Sequence, residues 1–375
     1  MEMRTNKILL VQLYSNGDCL YATTVARQIK KDFPGCHLTW AIAAFCKDII
    51  NHNPYVDDVL VVNEVPKNNV SAFRKFRKKI FQQQKAGLWY KVIITSNVFN
   101  NQALYDGTIR GMILRAYPGK IDVPFQPVLV LSQEEKSRVA DFANKHQLTN
   151  YKKVVLWEYA PQSGQNTLNF QMVWRIAEKL TSNDDTCVIL SAANSFEASE
   201  KIIDASVLSV RENAELSQYC NLLIGSSSGI TWLCTSSAGK LLPMVQLLNP
   251  KSPFLNAPSV DFNRYGISTN QLIELIQYDE QKILDCVQAV LKDGVAAAKE
   301  RYHQKIPTYF ITTRKIVYNL LCFGLFRSIA KHVAVNYEVY GFRLMFVRQF
   351  IVSILLFPFK LIYNVISKRM KRRGA

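Results

Sequence analysis

The stretch Lys7-Ile-Leu-Leu-Val-Gln-Leu-Tyr-Ser-Asn-Gly-Asp18 decides the fold. Its apolar first half predicts a buried β-strand, and the polar turn that ends in Gly17-Asp18 opens an amphipathic helical pattern over 20–33. A strand that runs into a polar turn and a helix is typical of an open α/β sheet, where ligands bind outside the carboxyl ends of the strands. Asp18 is therefore a candidate reactive carboxylate at such an edge, with capping of its own helix as the alternative.

The alternation of strands and helices continues through the first third of the chain. Its predicted strands are 7–13, 37–43, 59–62 and 91–95, and its predicted helices are 20–33, 71–84 and 101–115. A capping box, Ser132-Gln-Glu-Glu135, then opens a polar helix that reaches about residue 148. This helix marks the boundary between two α/β series.

A second α/β series follows the capping box. Its predicted strands are near 153–157, 186–190, 221–225 and 241–247, and its predicted helices are near 170–182, 196–205, 213–219 and 228–238. After about residue 270 the pattern predicts helix only. The chain of 375 residues, 49% hydrophobic, is long enough for about two domains.

This order of elements predicts an α/β protein with two tandem Rossmann-like domains facing a cleft, followed by a basic helical extension. We expect the first domain over 1–132, the second over 133–300 and the extension over 301–375. Strand ends and helix N-termini of both domains would meet at the cleft, which suits a nucleotide-linked ligand.

The positive charge is concentrated in the extension. Residues 301–375 hold 14 Lys and Arg against one acid, Glu338, so they carry +13 of the net +17. Such an asymmetry predicts contact with an anionic surface, and the dominance of Phe, Ile and Leu favours a membrane over nucleic acid. A second basic run, 73–81, is expected either to meet the same surface or to form a solvated helix face.

The apolar segment 350–366 has 17 residues and contains Pro358 and Lys360, so it is shorter than the roughly 20 residues of a spanning helix. We expect it to lie in the membrane interface, with a spanning helix and a core helix as alternatives. The eight cysteines are scattered without a C-x-x-C pair, which favours a cytoplasmic protein on the inner face of the cell membrane. The cations expected to meet anionic head groups are Arg343, Arg348, Lys360, Lys368, Arg369, Lys371, Arg372 and Arg373.

Polar turns after strands provide the candidate ligand-binding residues. In the first domain, Ser15, Asn16 and Gly17 precede Asp18 as an acceptor or phosphate loop. In the second domain, small side chains would let backbone amides approach a diphosphate. The candidates there are Glu158, Ser163, Gly164 and Gln165 in one turn and Ser226, Ser227, Ser228 and Gly229 in another, with ordinary surface turns as the alternative.

Several other classes of site find no pattern in the chain. The five histidines are isolated, no cysteine pair has the spacing of metal ligands, and no D-x-D triplet occurs. The phosphate loop of nucleotide hydrolases and the G-x-G-x-x-G fingerprint are missing as well. The sequence therefore predicts neither a metal nor a cofactor, and a nucleotide would be a substrate.

These residues resemble glycosyltransferase family 9, which contains the ADP-heptose:lipopolysaccharide heptosyltransferases. The resemblance begins with Lys7-Ile-Leu-Leu-Val-Gln-Leu, Gly17-Asp18 and Thr24, and continues through Phe33-Pro-Gly35, Leu38-Thr-Trp40, Asn53-Pro-Tyr-Val-Asp57 and Val59. In the second half it includes Trp174, Asn213-Ala-Glu-Leu216 and the Gly225-to-Gly229 turn. It covers roughly residues 5–250, in order and with the spacing kept.

The resemblance implies a GT-B fold in which the first domain binds the acceptor and the second binds the nucleotide sugar. It also implies transfer of the sugar with inversion, without an essential metal, onto a lipid-linked or lipopolysaccharide-type glycan. It implies that Asp18 is the general base that takes the proton of the acceptor hydroxyl. The amides of Ser227, Ser228 and Gly229 would stabilise the leaving nucleoside diphosphate.

Three departures from the family pattern limit this resemblance. Heptosyltransferases have an Asp at the position of Ser227, a His near Trp232 and a Lys close to Thr167, and all three are absent here. Their loss argues against ADP-heptose as the donor. It also leaves open the alternative of a catalytically inactive homologue that binds a nucleotide or glycan at the membrane.

Overall fold

The computed structural model describes residues 6–160, 166, 168–251, 257–307, 311–322 and 325–373. It leaves out the side chains of 99, 100, 311–313, 315, 364, 365 and 367–373. The described residues form two parallel β-sheets, each covered by helices. The predicted α/β class with two tandem sheets is confirmed.

The first lobe is built on a four-stranded sheet with the order β3-β2-β1-β4. Its elements are β1 (Lys7–Val11), α1 (Asn16–Asp32), β2 (His37–Ile42), β3 (Asp58–Val61), α2 (Val70–Lys85), β4 (Lys91–Ile94) and α3 (Ile109–Arg115). Short 3₁₀ helices lie at Ala44–Ile50 and Phe99–Leu104. All four strands match their predicted positions to within two residues.

Alternating side chains of β1 bury both faces of this sheet. Ile8 and Leu10 belong to the core under α1 and α3, whereas Leu9 and Val11 pack with Phe73 of α2. The apolar side of α2 faces the sheet and the cations of its 73–81 run lie on the other side. The basic helix α2 therefore packs on the face opposite to α1.

The second lobe is built on a six-stranded sheet with the order β10-β9-β8-β5-β6-β7. The helix α4 (Gln133–Lys145) precedes it and begins with the predicted capping box, in which Ser132 and Glu135 bond each other's backbone amides. The other elements are β5 (Lys153–Glu158), α5 (Phe170–Leu180), β6 (Thr186–Ser191), β7 (Ile202–Asp204), α6 (Glu212–Leu216), β8 (Leu222–Gly225), α7 (Gly229–Leu233), β9 (Met244–Leu247), α8 (Pro258–Arg264), β10 (Leu272–Leu275), α9 (Glu280–Asp293) and α10 (Val295–Tyr302).

Three predicted elements are wrong. The predicted helix at 196–205 contains strand β7, and the supposedly all-helical part after residue 270 contains β10. Strand β7 has three residues, too few to establish a period-2 pattern, and Glu274 interrupts the apolar run of β10. The predicted helix at 101–115 is two helices, because the chain turns at Gly107, whose φ of 107° favours glycine.

The C-terminal helices do not form one separate extension, because the chain returns to the first lobe. The helices are α11 (Ile311–Cys322), α12 (Phe326–Tyr340) and α13 (Leu344–Arg373). Leu320 and Val335 are buried in the first lobe's core. The side-chain amide of Asn336 donates to the carbonyl of Tyr105 at 3.2 Å. The predicted extension at 301–375 is thus divided between packed helices and the long helix α13.

Candidate active site

A cavity of about 580 Å³ lies between the two lobes. The carboxyl ends of β1, β5, β6 and β8 open into it, as expected for parallel sheets that share a ligand. Eight predicted site residues line it together: Ser15, Asn16, Gly17, Asp18, Glu158, Ser227, Ser228 and Gly229. Ser226 is fully buried behind this surface, and Ser163, Gly164 and Gln165 lie outside the described residues.

Asp18 lies in the first turn of α1 but does not cap the helix. The N-cap residue is Ser15, and no side chain caps the helix there. Among the residues that the structure describes, none donates a hydrogen bond to the Asp18 carboxylate. Burial in the cleft raises the pKa of Asp18 to about 6, although the positive charges of Arg110 and Lys67 lower it. A carboxylate with this pKa is available as a base near neutral pH.

Strained backbone marks both turns that face the cavity. Ser15 has φ of 69° and Ser227 has φ of 55°, values in the left-handed region that L-residues other than glycine seldom adopt. Such conformations cost free energy and persist where surrounding structure enforces them, often at functional sites. Here they direct one turn of each lobe toward the same cavity.

The serine turn of the second lobe, residues 226–229, makes more hydrogen bonds within the protein than the sequence predicted. The backbone amide of Ser227 donates to Oε1 of Gln246 at 2.6 Å, so it is not free to bind a phosphate. The Glu158 carboxylate accepts hydrogen bonds from the Ser228 hydroxyl and from the amides of Ile230 and Thr231. The expected role of the Ser227 amide is thereby corrected, and the amides of Ser228 and Gly229 remain without a partner among the described residues.

Burial also raises the pKa of Glu158, to about 7, although its three hydrogen bonds lower it. Because its carboxylate already accepts these hydrogen bonds, Glu158 is better suited to holding the serine turn in place than to binding a ligand directly. Behind the turn, the Ser226 hydroxyl accepts from the Asn166 side chain at 2.6 Å. A Cβ on Gly225 would lie 2.6 Å from Oγ1 of Thr231, so the turn requires glycine there.

Arg110 is a cavity residue that the sequence analysis missed. It belongs to α3 of the first lobe, and its guanidinium carbon lies 3.3 Å from the centre of the Trp232 ring in the second lobe. Its Nη1 lies 2.5 Å from the Asp261 carboxylate, and its Nη2 lies 3.5 Å from the Ser227 hydroxyl. No motif surrounds this arginine in the sequence, so only the packing of the lobes could reveal it.

Phe45 and Lys67 complete the first lobe's side of the cavity and were also missed. The Phe45 ring is 63% exposed and stacks on Tyr14, with ring centroids 6.1 Å apart. Lys67 is exposed at the rim. An exposed aromatic face beside a carboxylate suits a sugar ring, which packs its C–H groups on aromatic surfaces.

Two solved glycosyltransferase structures have a fold similar to that of this chain. A family 9 glycosyltransferase from Veillonella parvula is 14% identical, with a TM-score of 0.50 over 80% of this chain and 96% of that one. ADP-heptose LPS heptosyltransferase II from E. coli is 16% identical, with a TM-score of 0.52 over 76% of this chain and 99% of that one. The chain has the GT-B fold. No protein-family model and no curated protein sequence matches it.

In this GT-B chain the cavity is polar on the side of the second lobe and is lined by two positively charged side chains from the first lobe. Ser191, Ser206 and Ser209 of the second lobe supply hydroxyl or backbone groups, while Arg110 and Lys67 come from the first lobe. Within the described ranges, no group of three or more His, Cys, Asp or Glu side chains is arranged to hold a metal ion. The arrangement offers a base, an aromatic surface and cations at one place.

Proposed function

We propose that this protein is an inverting glycosyltransferase that needs no metal and uses a nucleotide sugar as donor. The acceptor would be a hydroxyl of a lipid-linked or lipopolysaccharide-type glycan, bound by the first lobe. The main support is the position of Asp18, whose carboxylate has no described hydrogen-bond partner and lines the inter-lobe cavity of a GT-B fold. The heptosyltransferase of similar fold carries ADP-heptose in its name. We do not assign ADP-heptose to this chain, because Ser227 stands where the heptosyltransferases have an Asp.

In the proposed reaction, the first lobe holds the acceptor and the second lobe holds the nucleotide sugar. The acceptor oxygen forms a bond to the anomeric carbon as the bond from that carbon to the phosphate oxygen breaks, and the phosphate keeps the electron pair. Attack from the face opposite the phosphate inverts the anomeric centre. The hydroxyl proton passes to Asp18, which is an adequate acceptor because the hydroxyl becomes acidic only as the new bond forms.

Release of nucleotide from a panel of donors tests this proposal. The full-length protein is incubated with ADP-, GDP-, UDP- and dTDP-linked sugars and a bacterial glycolipid extract, and free nucleotide is measured. We expect the wild type to release nucleotide from at least one donor and Asp18→Asn to release none. The variant isolates the base because asparagine keeps the shape of the side chain and loses only its ability to take a proton.

A non-catalytic binding protein is the second candidate. It is favoured by the hydrogen bonds at the serine turn, where the side chains of Gln246 and Glu158 accept from backbone amides. Those amides would otherwise be available to a phosphate. In that case nucleotides would bind in the cavity and no donor of the panel would turn over. Turnover with any donor excludes this candidate.

We also propose that α13 attaches the protein to the cytoplasmic face of the cell membrane. The segment Leu344–Tyr363 is long and apolar enough to cross a membrane by length and composition, and almost none of it is buried. One side of the helix packs on α11, where Phe357 contacts Tyr318, and Ser353 donates to the Arg314 carbonyl. The opposite side is exposed and apolar, with residues Leu344, Ile351, Ile354, Leu355, Phe359 and Ile362.

Lying in the interface fits this helix better than crossing the bilayer. Arg348 and Lys360 are exposed along it, and such charges are costly within hydrocarbon but favourable beside anionic head groups. Arg343 lies at its start, and the side chains of Lys368, Arg369, Lys371, Arg372 and Arg373 fall outside the described ones. The basic helix α2 packs on the opposite face of the first sheet, so we assign lipid contact to α13.

Vesicle co-sedimentation with the full-length chain tests the attachment. The double variant Leu355→Asp/Phe359→Asp changes side chains that are 64% and 70% exposed, so it leaves the fold unchanged. We expect it to lose binding to vesicles of phosphatidylglycerol and phosphatidylethanolamine. Leu88→Asp, at a 45% exposed site away from α13, is the matched control. Equal sedimentation of all three proteins would contradict the assignment.

A further inference from the structure

Arg110 is a buried cation on the border between the lobes. Its side chain is 10% exposed, yet it lines the cavity. Although it belongs to the first lobe, it reaches across to Ser227 and Trp232 of the second. Its guanidinium has five N–H donors, and two of its nitrogens have partners in the part of the chain that the structure describes. Unused donors of a buried arginine favour an anionic ligand.

The charges around the cavity point to where such an anion would bind. Among the described residues, four ionisable side chains line it: the carboxyl groups of Asp18 and Glu158 and the cations Arg110 and Lys67. Lys67 is exposed at the rim, so Arg110 is the cation next to the serine turn. The amides of Ser228 and Gly229, which have no described partner, belong to the same turn.

We propose that Arg110 is the residue that binds the diphosphate of the donor and stabilises the charge of the leaving group. This inference rests on the proposed function and adds to it the group that replaces a metal. The guanidinium can donate two parallel hydrogen bonds to phosphate oxygens, a geometry that lysine does not offer. As the bond to the anomeric carbon breaks, the electron pair stays on the phosphate oxygen, where the charge of Arg110 lowers its energy.

Asp261 is the positioning residue for Arg110. Its Oδ2 forms the ion pair, whereas its Oδ1 has no hydrogen-bond partner within the described ranges. The carboxylate lies on α8, and the Trp232 ring lies under the guanidinium plane. Together they hold the arginine side chain against the serine turn. Because the cation is already ordered, binding of a diphosphate would cost little side-chain conformational entropy.

Binding of nucleotides to the full-length protein tests this role. ADP, GDP, UDP and dTDP are titrated by calorimetry, each beside its own nucleoside. We expect Arg110→Gln to weaken the diphosphate that binds the wild type by about 10- to 100-fold, the usual range for lost hydrogen bonds to a charged group. The matching nucleoside, which has no phosphate, should bind both proteins equally.

The positioning residue supplies the second variant. Asp261→Asn keeps the arginine and its charge but weakens the ion pair that orders it, so diphosphate binding should weaken by less than in Arg110→Gln, and nucleoside binding should stay the same. If Arg110 served only to join the lobes, Arg110→Gln and Asp261→Asn would lower the melting temperature and all binding alike, and the inference would be wrong. Unchanged diphosphate binding in Arg110→Gln would also overturn it. A wild type that binds none of the four nucleotides would overturn the proposed function itself.

Discussion

Asp18 and Glu158 are two carboxyl groups of one cavity that differ in their partners. Asp18 lies in the first turn of the helix after β1 and Glu158 is the last residue of β5, and burial raises the pKa of both, to about 6 and about 7. Glu158 accepts three hydrogen bonds from the serine turn, whereas Asp18 accepts none from any described residue. The difference teaches that a raised pKa alone does not identify a catalytic base. A catalytic base must also have carboxylate oxygens that are not already engaged in hydrogen bonds with the protein.

Paired amide variants test this comparison with the largest expected effect. Asp18→Asn should lower kcat by roughly 10³-fold, because a general base contributes on the order of 10² to 10⁴. Donor affinity should change little, since the proposed mechanism places Asp18 at the acceptor hydroxyl. Glu158→Gln keeps an oxygen to accept from the turn and should retain most of the activity. Initial rates and nucleotide titrations measure both, and equal activity in Asp18→Asn would remove Asp18 from the mechanism.

Stability against pH should respond to Glu158. A carboxyl whose pKa is raised in the folded state stabilises the fold at low pH, and this contribution is lost as pH rises from the ordinary value near 4.5 through about 7. Glu158→Gln cannot ionise. Relative to the wild type it should therefore gain stability between pH 5 and pH 8, by at most about 3 kcal/mol. Urea unfolding at both pH values measures this, and a constant difference would contradict the assigned pKa.

The pH profile of the reaction should belong to Asp18 alone. Because the base acts in its ionised form, kcat/KM should fall about tenfold for each pH unit below pH 6 and level off above it. The same limb should appear in Glu158→Gln. In Arg110→Gln it should move to higher pH, because the charge of Arg110 lowers the pKa of Asp18. Loss of the limb in Glu158→Gln would transfer the role of base to Glu158.

The smallest expected effect concerns the aromatic side of the acceptor lobe. Phe45→Ala should raise the KM for the acceptor about 3- to 10-fold, the value of one aromatic contact, and leave the KM for the donor unchanged. Phe170→Ala is the matched control, since Phe170 is a partly exposed ring of the second lobe that does not line the cavity. A rise in the donor KM would place the donor on the first lobe.

Local signals along the chain predicted much of this structure. Period-2 and period-3.6 patterns located eight of the ten strands, because a strand of four to six apolar residues and its turn are encoded by neighbours in sequence. Asp18 could be found in this way, since its role depends on following β1. The edge strand β7 has too few residues for the same signal, and Glu274 interrupts the apolar run of the edge strand β10.

The sequence by itself therefore determined the two parallel sheets, their polar turns and the carboxylate at residue 18, because each depends on residues adjacent in the chain. Only the tertiary structure decided which side chains meet those turns. Arg110 and Asp261 are 151 positions apart, Glu158 and Ser228 are 70 apart, and Phe45 reaches the cavity from a 3₁₀ helix that no pattern predicted. Arg110 meets Asp261 through the packing of one lobe on the other, and Glu158 meets Ser228 through the pairing of β5 with β8. Local periodicity encodes neither.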